Sequence, residues 1–270
     1  FTTISTGGFS THDLSFAYFE NHSILLIAII FMILGSFPFL VLAKTNIKNP
    51  FAAFKDHQVK IFLLLLFISI CLIYFFAQKY LIGSEIQKII IISFNTISII
   101  SGTGFISENF EGWGNYASTL FLILMFIGGC AGSTTGGIKI FRFQILLKYI
   151  AIHLKKMLQP HAVIASHFNG RKIQDSTYES VMIFFFIYIL TFAFSALLLS
   201  FSGLDFLTCF SAAASAISNV GPGLGEIIGP EGNYSSLTSY TKIILIFTMF
   251  LGRLEMLTIL VLFLPSFWKN

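Results

Sequence analysis

Three short glycine turns carry the residue types that could bind an ion through backbone oxygen. Each follows a run of Ser, Ala, Ile and Thr residues and lies beside long apolar segments. Glycine has no Cβ, so adjacent peptides can adopt the φ values that direct carbonyl groups at an ion. The repetition therefore predicts an ion filter built from equivalent loops. The turns are Ser5-Thr6-Gly7-Gly8-Phe9, Ser101-Gly102-Thr103-Gly104-Phe105 and Ser218-Asn219-Val220-Gly221-Pro222.

The composition predicts an all-α integral membrane protein. Hydrophobic residues make up 56% of the chain, charged residues 10%, and the mean hydropathy is +0.85, whereas soluble domains carry about 25% charged residues. A spanning helix needs about 20 apolar residues. The five segments of that kind are residues 23–43, 59–77, 116–149, 176–201 and 241–263. Two shorter segments, residues 86–100 and 205–218, lead into glycine turns and predict re-entrant pore helices.

The distribution of charged residues predicts that the glycine turns open to the outer side of the membrane. By the positive-inside rule, the two connections rich in Lys and Arg are cytoplasmic. Acidic residues follow each glycine turn, either as an ordinary solvated rim or as a mouth that concentrates cations. The basic residues are Lys44, Lys48, Lys55, Lys60, Lys139, Arg142, Lys148, Lys155, Lys156, Arg171 and Lys172. The acidic residues are Asp13, Glu20, Glu108, Glu111, Glu226 and Glu231.

The turns belong to a long internal repeat. The anchor glycines Gly8, Gly104 and Gly221 are 96 and 117 residues apart. A complete unit is expected to hold a spanning helix, a short pore helix, a glycine turn, an outer polar stretch and a second spanning helix. The chain begins at Phe1, inside the first turn, so we expect a fragment. A pore helix that ends at the turn would aim its negative C-terminal dipole at the central cavity and favour a cation.

At the level of motifs the chain resembles the TrkH/TrkG/KtrB superfamily of potassium uptake proteins, and within it TrkH. The resemblance is carried by the three turns and by Gly-Gly-Cys-Ala-Gly-Ser-Thr-Thr-Gly-Gly-Ile-Lys at residues 128–139. It implies tandem helix–pore loop–helix repeats around a pseudo-fourfold pore, with about two and a half of four repeats present. The implied divisions are residues 1–58, the end of the second repeat, residues 59–175, the third, and residues 176–270, the fourth.

The resemblance implies which residues hold the ion. Backbone carbonyls would bind K⁺, which is the transported ion, and no cofactor or other metal is expected. The filter residues implied are Thr6, Gly7, Gly8, Gly102, Thr103, Gly104, Asn219, Val220 and Gly221.

Residues 128–137 interrupt an otherwise continuous apolar helix. Half of these ten residues are glycine, a composition that an intact helix does not tolerate. A kink for close helix packing is one interpretation, and a phosphate-binding loop is disfavoured because the GxxxxGK[ST] spacing is absent. The resemblance implies an intramembrane gate below the filter. Its residues would be Gly128, Gly129, Gly132, Ser133, Thr134, Thr135, Gly136, Gly137 and, from the last apolar segment, Arg253.

Arg253 and Glu255 lie inside that last segment, where a central charge costs about 2.5–3.5 kcal/mol on insertion scales. Both are therefore expected to face protein or water. The resemblance implies that Arg253 opposes K⁺ beneath the filter, and the alternative is a structural ion pair with a carboxylate. Lys139 is expected to extend toward the cytoplasmic surface.

Cysteine and histidine spacing does not predict a metal site or a disulfide. The cysteines lie singly in apolar segments and are expected to be packing residues, and the histidines of the second basic connection are expected to be solvated. These residues are Cys71, Cys130, Cys209, His153, His161 and His167.

The leading functional hypothesis is the pore-forming subunit of a potassium uptake system, with no enzymatic activity. The alternative is an ion-coupled secondary cation transporter, although such transporters often carry inverted repeats whereas the charge pattern here gives the repeats one orientation. A membrane-embedded enzyme is disfavoured because clustered acids or a His/Asp set within the membrane are lacking. The resemblance implies a multi-pass protein of the bacterial cytoplasmic (inner) membrane and a homodimer. It also implies a cytoplasmic nucleotide-binding regulatory subunit of TrkA type. Membrane lipids are a further expected partner, and nucleic acid is not expected.

Overall fold

The computed structural model describes residues 1–19, 21–45, 53–160, 167–168, 171–254, 256–262 and 264–268. The described residues are mainly helical, which confirms the predicted all-α class. The strands found there form one small antiparallel hairpin, β1 (His167–Phe168) with β2 (Arg171–Lys172). Among the described residues, two helices combine the length and apolar composition needed to cross a membrane, His57–Ala77 and Asp175–Ser200.

Helix α1 (His22–Gly35) begins where the Asn21 side chain accepts the Ser23 N–H at 2.9 Å. The expected continuous span over residues 23–43 is wrong, because the chain leaves the helix after Gly35 and resumes as the short α2 (Phe39–Leu42). Pro38 explains the break, since proline lacks an N–H and disfavours helical backbone at the residue before it.

Helix α3 (His57–Ala77) is capped by Asp56, whose carboxylate accepts the Gln58 N–H at 2.8 Å. Helix α4 (Glu85–Ile100) confirms the short helix predicted at residues 86–100, and a Ser84/Gln87 capping box fixes its start. Its 16 residues span about 24 Å, less than the roughly 30 Å of a bilayer core. The helix therefore ends inside the molecule, at the second glycine turn.

Helix α5 (Asn115–Met125) follows a 3-10 turn (Phe110–Trp113), and α6 (Ile140–Leu158) resumes after the glycine-rich stretch. The predicted interruption of the long apolar segment is confirmed.

The last third of the chain contains one more long helix, α7 (Asp175–Ser200), and one more short one, α8 (Phe206–Ser218). The second confirms the helix predicted at residues 205–218. The single span expected over residues 241–263 is wrong: α9 (Ser239–Arg253) ends there and α10 (Met256–Leu262) begins three residues later. Gly252, a weak helix former, packs so closely on the Ile217 carbonyl that a Cβ would lie 1.9 Å from it. Four further 3-10 turns are Ser15–Tyr18, Ala53–Lys55, Tyr234–Ser236 and Pro265–Trp268.

The two short helices form the centre of the packing. Helix α4 packs against α1, α3 and α5, and α8 packs against α5, α7 and α9. In both cases a helix that follows one glycine turn packs on the short helix that leads into the next turn. The C-terminal halves of α4 and α8 are almost wholly buried, so the protein interior fixes the start of each turn.

Candidate functional site

The three glycine turns share one backbone conformation. In each turn, the first and third of three consecutive residues have φ in the left-handed region and the middle residue does not. A carbonyl-lined filter needs backbone with φ values of this kind, so the turns have a conformation suited to presenting backbone oxygens. The paired φ values are +50° and +69° at Thr6 and Gly8, +65° and +78° at Gly102 and Gly104, and +55° and +114° at Asn219 and Gly221.

Two of these left-handed positions are not glycine. Asparagine tolerates this region, and the Asn219 side chain is held by donation to the Met249 carbonyl at 3.1 Å. Thr6 is β-branched and buried, so its φ of +50° is a strained conformation. Strain of this kind persists where the surrounding structure enforces it, and it is common at functional sites.

The turns lie side by side and pack in the same way. A Cβ on Gly8 would lie 2.0 Å from the Thr103 carbonyl oxygen, and a Cβ on Gly104 would lie 2.0 Å from the Val220 carbonyl oxygen. Gly8 and Gly104 therefore each rest on the middle carbonyl of the next turn. The turns border a cavity of about 550 Å³, whose lining includes Gly7, Gly8, Gly102, Thr103, Gly104, Asn219, Val220 and Gly221. Thr6 lies outside this lining.

Hydroxyl groups behind the turns hold them in place. Thr2 donates to the Phe9 carbonyl at 2.9 Å, and Ser98 donates to the Phe105 carbonyl at 2.7 Å. These pairs are separated by the same 96 residues as the anchor glycines. The sequence analysis did not assign these hydroxyls a role, although polar residues at repeat-aligned positions of apolar helices were the available signal.

The third turn is held differently. Ser215 is the residue aligned with Ser98, but its hydroxyl accepts the Gly221 N–H at 3.0 Å instead of donating to a carbonyl. The Gly221 carbonyl accepts the Tyr234 hydroxyl at 2.6 Å. Enclosure of the phenol raises the pKa of Tyr234 to about 12, so the hydroxyl stays protonated at neutral pH. Side chains thus bind the peptide groups on both sides of the Gly221 Cα, and neither Ser215 nor Tyr234 is among the residues predicted from the sequence.

The glycine-rich loop, residues 128–137, is closed at its base by a parallel bridge between Ile127 and Ile138. The Gly128 N–H donates to the Ile138 carbonyl at 2.9 Å, and the Ile138 N–H donates to the Phe126 carbonyl at 3.0 Å. A Cβ on Gly128 would lie 2.0 Å from the Gly136 carbonyl oxygen. The two ends of the loop are therefore pressed together with no space for side chains.

The loop lies against the second and third glycine turns. A Cβ on Gly136 would lie 2.1 Å from the Ser218 carbonyl oxygen, and a Cβ on Gly102 would lie 3.3 Å from the Gly136 nitrogen. Inside the loop, Gly129 donates its N–H to the Thr135 hydroxyl at 2.9 Å. The loop thus sits at the end of the turns where the short helices terminate.

Thr134 joins the loop to the N-terminal part of the chain. Its hydroxyl lies 3.2 Å from the Ile4 carbonyl oxygen and 3.0 Å from that of Gly35, and its N–H donates to Gly35 at 3.2 Å. Further along the loop, the Ala131 N–H donates to the Gln58 side chain at 3.0 Å and Gly132 accepts the Phe39 N–H at 3.0 Å. Hence α1, α2 and α3 all hold the loop, an arrangement that local sequence does not reveal.

Two cationic side chains contact the loop. Arg253 donates to the Thr134 carbonyl at 3.1 Å, and Lys139 donates to the Thr135 hydroxyl at 2.9 Å and also to the Thr135 carbonyl. The expectation that Lys139 extends to the cytoplasmic surface is wrong, because these loop oxygens attract its ammonium inward. A second cavity, of about 230 Å³, is lined by Ser133, Thr134, Thr135, Gly136, Gly137, Lys139, Arg142, Phe184, Gly252 and Arg253. Glu255 lies outside the described residues.

Of the outer acids, Glu111 has a defined structural contact. Its carboxylate accepts the Gly225 N–H, which ties the segment after the second turn to the segment after the third. Partial burial raises the pKa of Glu108. Asp13, Glu226 and Glu231 are exposed, whereas Glu20 and, among the basic residues, Lys48 lie outside the described residues.

The cysteines and histidines in the described part of the chain do not form a common cluster. Cys130 and Cys209 are buried, Cys71 is exposed, and all three are free thiols. Among the described residues, no group of three or more His, Cys, Asp or Glu side chains could hold a metal ion. His161 lies outside the described residues.

The comparisons with known proteins agree over the whole chain. The sequence model of the TrkH family, described as a cation transport protein, matches residues 1–270. All of this chain aligns with the Trk system potassium uptake protein TrkI of Halomonas elongata, at 39% identity, and with TrkH of Escherichia coli K12, at 34%. The crystal structure of the potassium transporter TrkH from Vibrio parahaemolyticus superposes with a TM-score of 0.91 at 33% identity, covering 99% of this chain.

The chain spans about half the length of the curated relatives it matches. The aligned part is 55% of the Halomonas protein, 56% of the Escherichia coli protein and 57% of the Vibrio chain.

Proposed function

This chain belongs to the TrkH family of cation transport proteins, and we propose that it forms part of the pore of a potassium uptake system. The single observation that carries the proposal is the shared alternation of φ in the three turns, all of which contribute residues to the lining of one cavity. Membership of a family of cation transport proteins supports the view that these backbone oxygens conduct an ion. K⁺ would move down its electrochemical gradient, and the protein would catalyse no chemical reaction.

The filter of this proposal consists of the backbone oxygens of the three turns. Rings of carbonyl oxygens replace the hydration shell of K⁺ without using side chains. The contact of Gly8 with Thr103, repeated by Gly104 with Val220, supports a stepwise arrangement around an axis. The proposed ligands are Thr6, Gly7, Gly8, Gly102, Thr103, Gly104, Asn219, Val220 and Gly221.

The gate of this proposal is the glycine-rich loop. It packs against the inner ends of the second and third turns through Gly136, and Thr134 and Arg253 link it to the rest of the pore wall. A guanidinium at this depth would repel K⁺ while the loop is in place. The proposed gate residues are Gly128, Gly129, Gly132, Ser133, Thr134, Thr135, Gly136, Gly137 and Arg253.

We place the repeats at residues 1–58, 59–175 and 176–270. Support comes from the aligned hydroxyl-to-carbonyl bonds of the first two turns and from the packing of α1 on α4 and of α5 on α8. The same relation between consecutive repeats is what a pseudo-fourfold pore requires.

The protein is a membrane protein, and we propose a multi-pass subunit of the bacterial cytoplasmic membrane. The relatives are named as components of Trk systems, and a homodimer with a nucleotide-binding regulatory subunit of TrkA type fits that name. Helix α6 carries Lys148 near its middle and Lys155 and Lys156 in its last turn, and its basic end offers a surface for that subunit or for anionic lipid headgroups.

The test is rubidium influx into potassium-transporter-deficient cells that express the protein from its complete gene. Gly104→Ser would drive a side chain into the Val220 carbonyl and strain a left-handed residue, so influx should fall to background. Gly112→Ser is the matched control, because a Cβ at Gly112 meets nothing within 4 Å. Absence of influx in the expressed parent, or equal influx in both variants, would contradict the proposal.

A further inference from the structure

The third glycine turn departs from the other two at its outer end. In the first two turns, the hydroxyl six residues before the anchor glycine, that of Thr2 or Ser98, donates to the carbonyl of the phenylalanine after that glycine. In the third turn Pro222 replaces that phenylalanine, and the aligned Ser215 instead accepts the N–H of Gly221. The φ of Gly221 is +114°, far from the +69° and +78° of the other anchor glycines.

The Gly221 carbonyl is fixed by a side chain from outside the repeat pattern. Tyr234 lies in the 3-10 turn before α9, and its hydroxyl donates to this oxygen at 2.6 Å. Among the described residues, no side chain donates a hydrogen bond to the aligned carbonyl oxygen of Gly8 or Gly104. Tyr234 also lines the 550 Å³ cavity that the three turns border, so its phenol lies at the proposed ion path.

We propose that Tyr234 is a specificity-determining positioning residue, whose hydroxyl holds the Gly221 carbonyl at a fixed distance from ions at the outer end of the filter. The inference rests on the proposed potassium pore. Discrimination between K⁺ and the smaller Na⁺ depends on the number and spacing of the oxygens that replace water. A carbonyl tethered by Tyr234 cannot close around Na⁺, whereas a released one can.

The hydroxyl is suited to this task because it remains a donor. Since the pKa of Tyr234 is raised to about 12 by the enclosure of the phenol, the O–H is present throughout the physiological pH range. Ser215 accepts the Gly221 N–H, which belongs to the peptide group just before the one that carries the Gly221 carbonyl. The two contacts therefore hold the peptide groups on both sides of the Gly221 Cα, and this limits rotation of the carbonyl.

The test compares Tyr234→Phe with its parent in proteoliposomes, measuring rubidium and sodium influx separately. Phenylalanine keeps the ring and removes the hydroxyl. The rubidium-to-sodium ratio should fall about threefold or more, the range expected from losing one hydrogen bond. Tyr240→Phe is the matched control, because Tyr240 is an exposed tyrosine at the start of α9, and its ratio should equal that of the parent.

The outcomes separate the inference from the proposed function. If the parent conducts rubidium and Tyr234→Phe keeps the parental ratio, the inference is overturned while the potassium pore stands. If the parent conducts no rubidium, the proposed function fails, and the inference with it. Ser215→Ala supplies a second variant, and it should lower the ratio in the same direction; an altered melting temperature with an unchanged ratio in both variants would indicate a merely structural role.

Discussion

Each of the first two anchor glycines lies so close to the neighbouring turn that its side chain is restricted to hydrogen. Gly8 and Gly104 each rest on a carbonyl oxygen of the next turn, and the left-handed φ of both residues adds a second reason for glycine. Gly221 is left-handed but has more room, since a Cβ there would lie 3.9 Å from Gly104. The tight steric requirement therefore applies to the first two turns, and polar contacts define the third.

Thr134 offers a residue-scale test of the gate. Thr134→Val keeps the side-chain shape but removes the hydroxyl that bonds to Ile4 and Gly35. The loop should then open more often, and basal rubidium influx without a regulatory subunit should rise about threefold or more, in proportion to the strength of the lost bonds. Thr134→Ser retains the hydroxyl and should match the parent. Unchanged influx in Thr134→Val would show that these bonds do not hold the loop closed.

Glu108 gives a prediction about pH. Burial raises the pKa of this carboxyl, so the folded protein binds its proton more tightly than the unfolded chain does. Its contribution to stability is therefore present at low pH and is lost as the pH rises through the raised pKa. At neutral pH Glu108→Gln should melt at a higher temperature than the parent, and the difference should shrink in acid. Glu226→Gln, at an exposed position, should show no such pattern; a constant difference for Glu108→Gln across pH would contradict the assignment.

At the scale of elements, the short helices were predictable and the breaks in the long ones only partly so. Helices α4 and α8 are apolar segments bounded by turn residues. The glycine content of residues 128–137 likewise predicts the break between α5 and α6. The break at Pro38 carries a local signal that a hydropathy window overlooks. Before the break after Arg253, Gly252 packs on Ile217 and Arg253 donates to Thr134, and both contacts are with residues distant in sequence.

Some site residues could not be predicted because their bonding partners lie in other segments of the chain. The bond from Tyr234 to Gly221 crosses an irregular outer segment, and that from Ala131 to Gln58 joins residues in different helical units. Neither pairing leaves a periodic pattern. Lys139 was misplaced for a related reason, because the loop oxygens that attract it are presented only once the loop is folded.

The capping box of α4 predicts a measurable contribution to stability. Ser84 accepts the Gln87 N–H while the Gln87 side chain accepts the Ser84 N–H. Ser84→Ala should destabilise the protein by about 1 kcal/mol, seen as a lower melting temperature in detergent. Ser84→Asp, which retains an acceptor at the cap, should stay close to the parent. Equal melting of Ser84→Ala and the parent would show that tertiary packing alone fixes the start of α4.

Across the whole molecule, the glycine-rich loop contacts elements that are distant in sequence. Thr134 bonds to Gly35 of α1, and Arg253 of α9 bonds to Thr134. A change in α1 or α9 is therefore expected to reach the loop directly.

Arg253→Ala tests this linkage together with the charge. Losing both the bond to Thr134 and a cation beneath the turns should increase rubidium influx in the absence of the regulatory subunit, by about tenfold for an effect on the order of 1.4 kcal/mol. Lys79→Ala removes an exposed cation from the outer surface and should leave influx unchanged. Lower influx in Arg253→Ala, at equal expression, would mean that the arginine supports the pore and does not obstruct it.

Anomalous diffraction from crystals of the whole protein grown with Rb⁺ or Tl⁺ would locate the ion itself. We expect ion density in the cavity bordered by the three turns, within coordination distance of the backbone oxygens of Thr103 and Val220. Density at acidic side chains with none between the turns, at a resolution that shows the carbonyls, would contradict a filter of backbone oxygen.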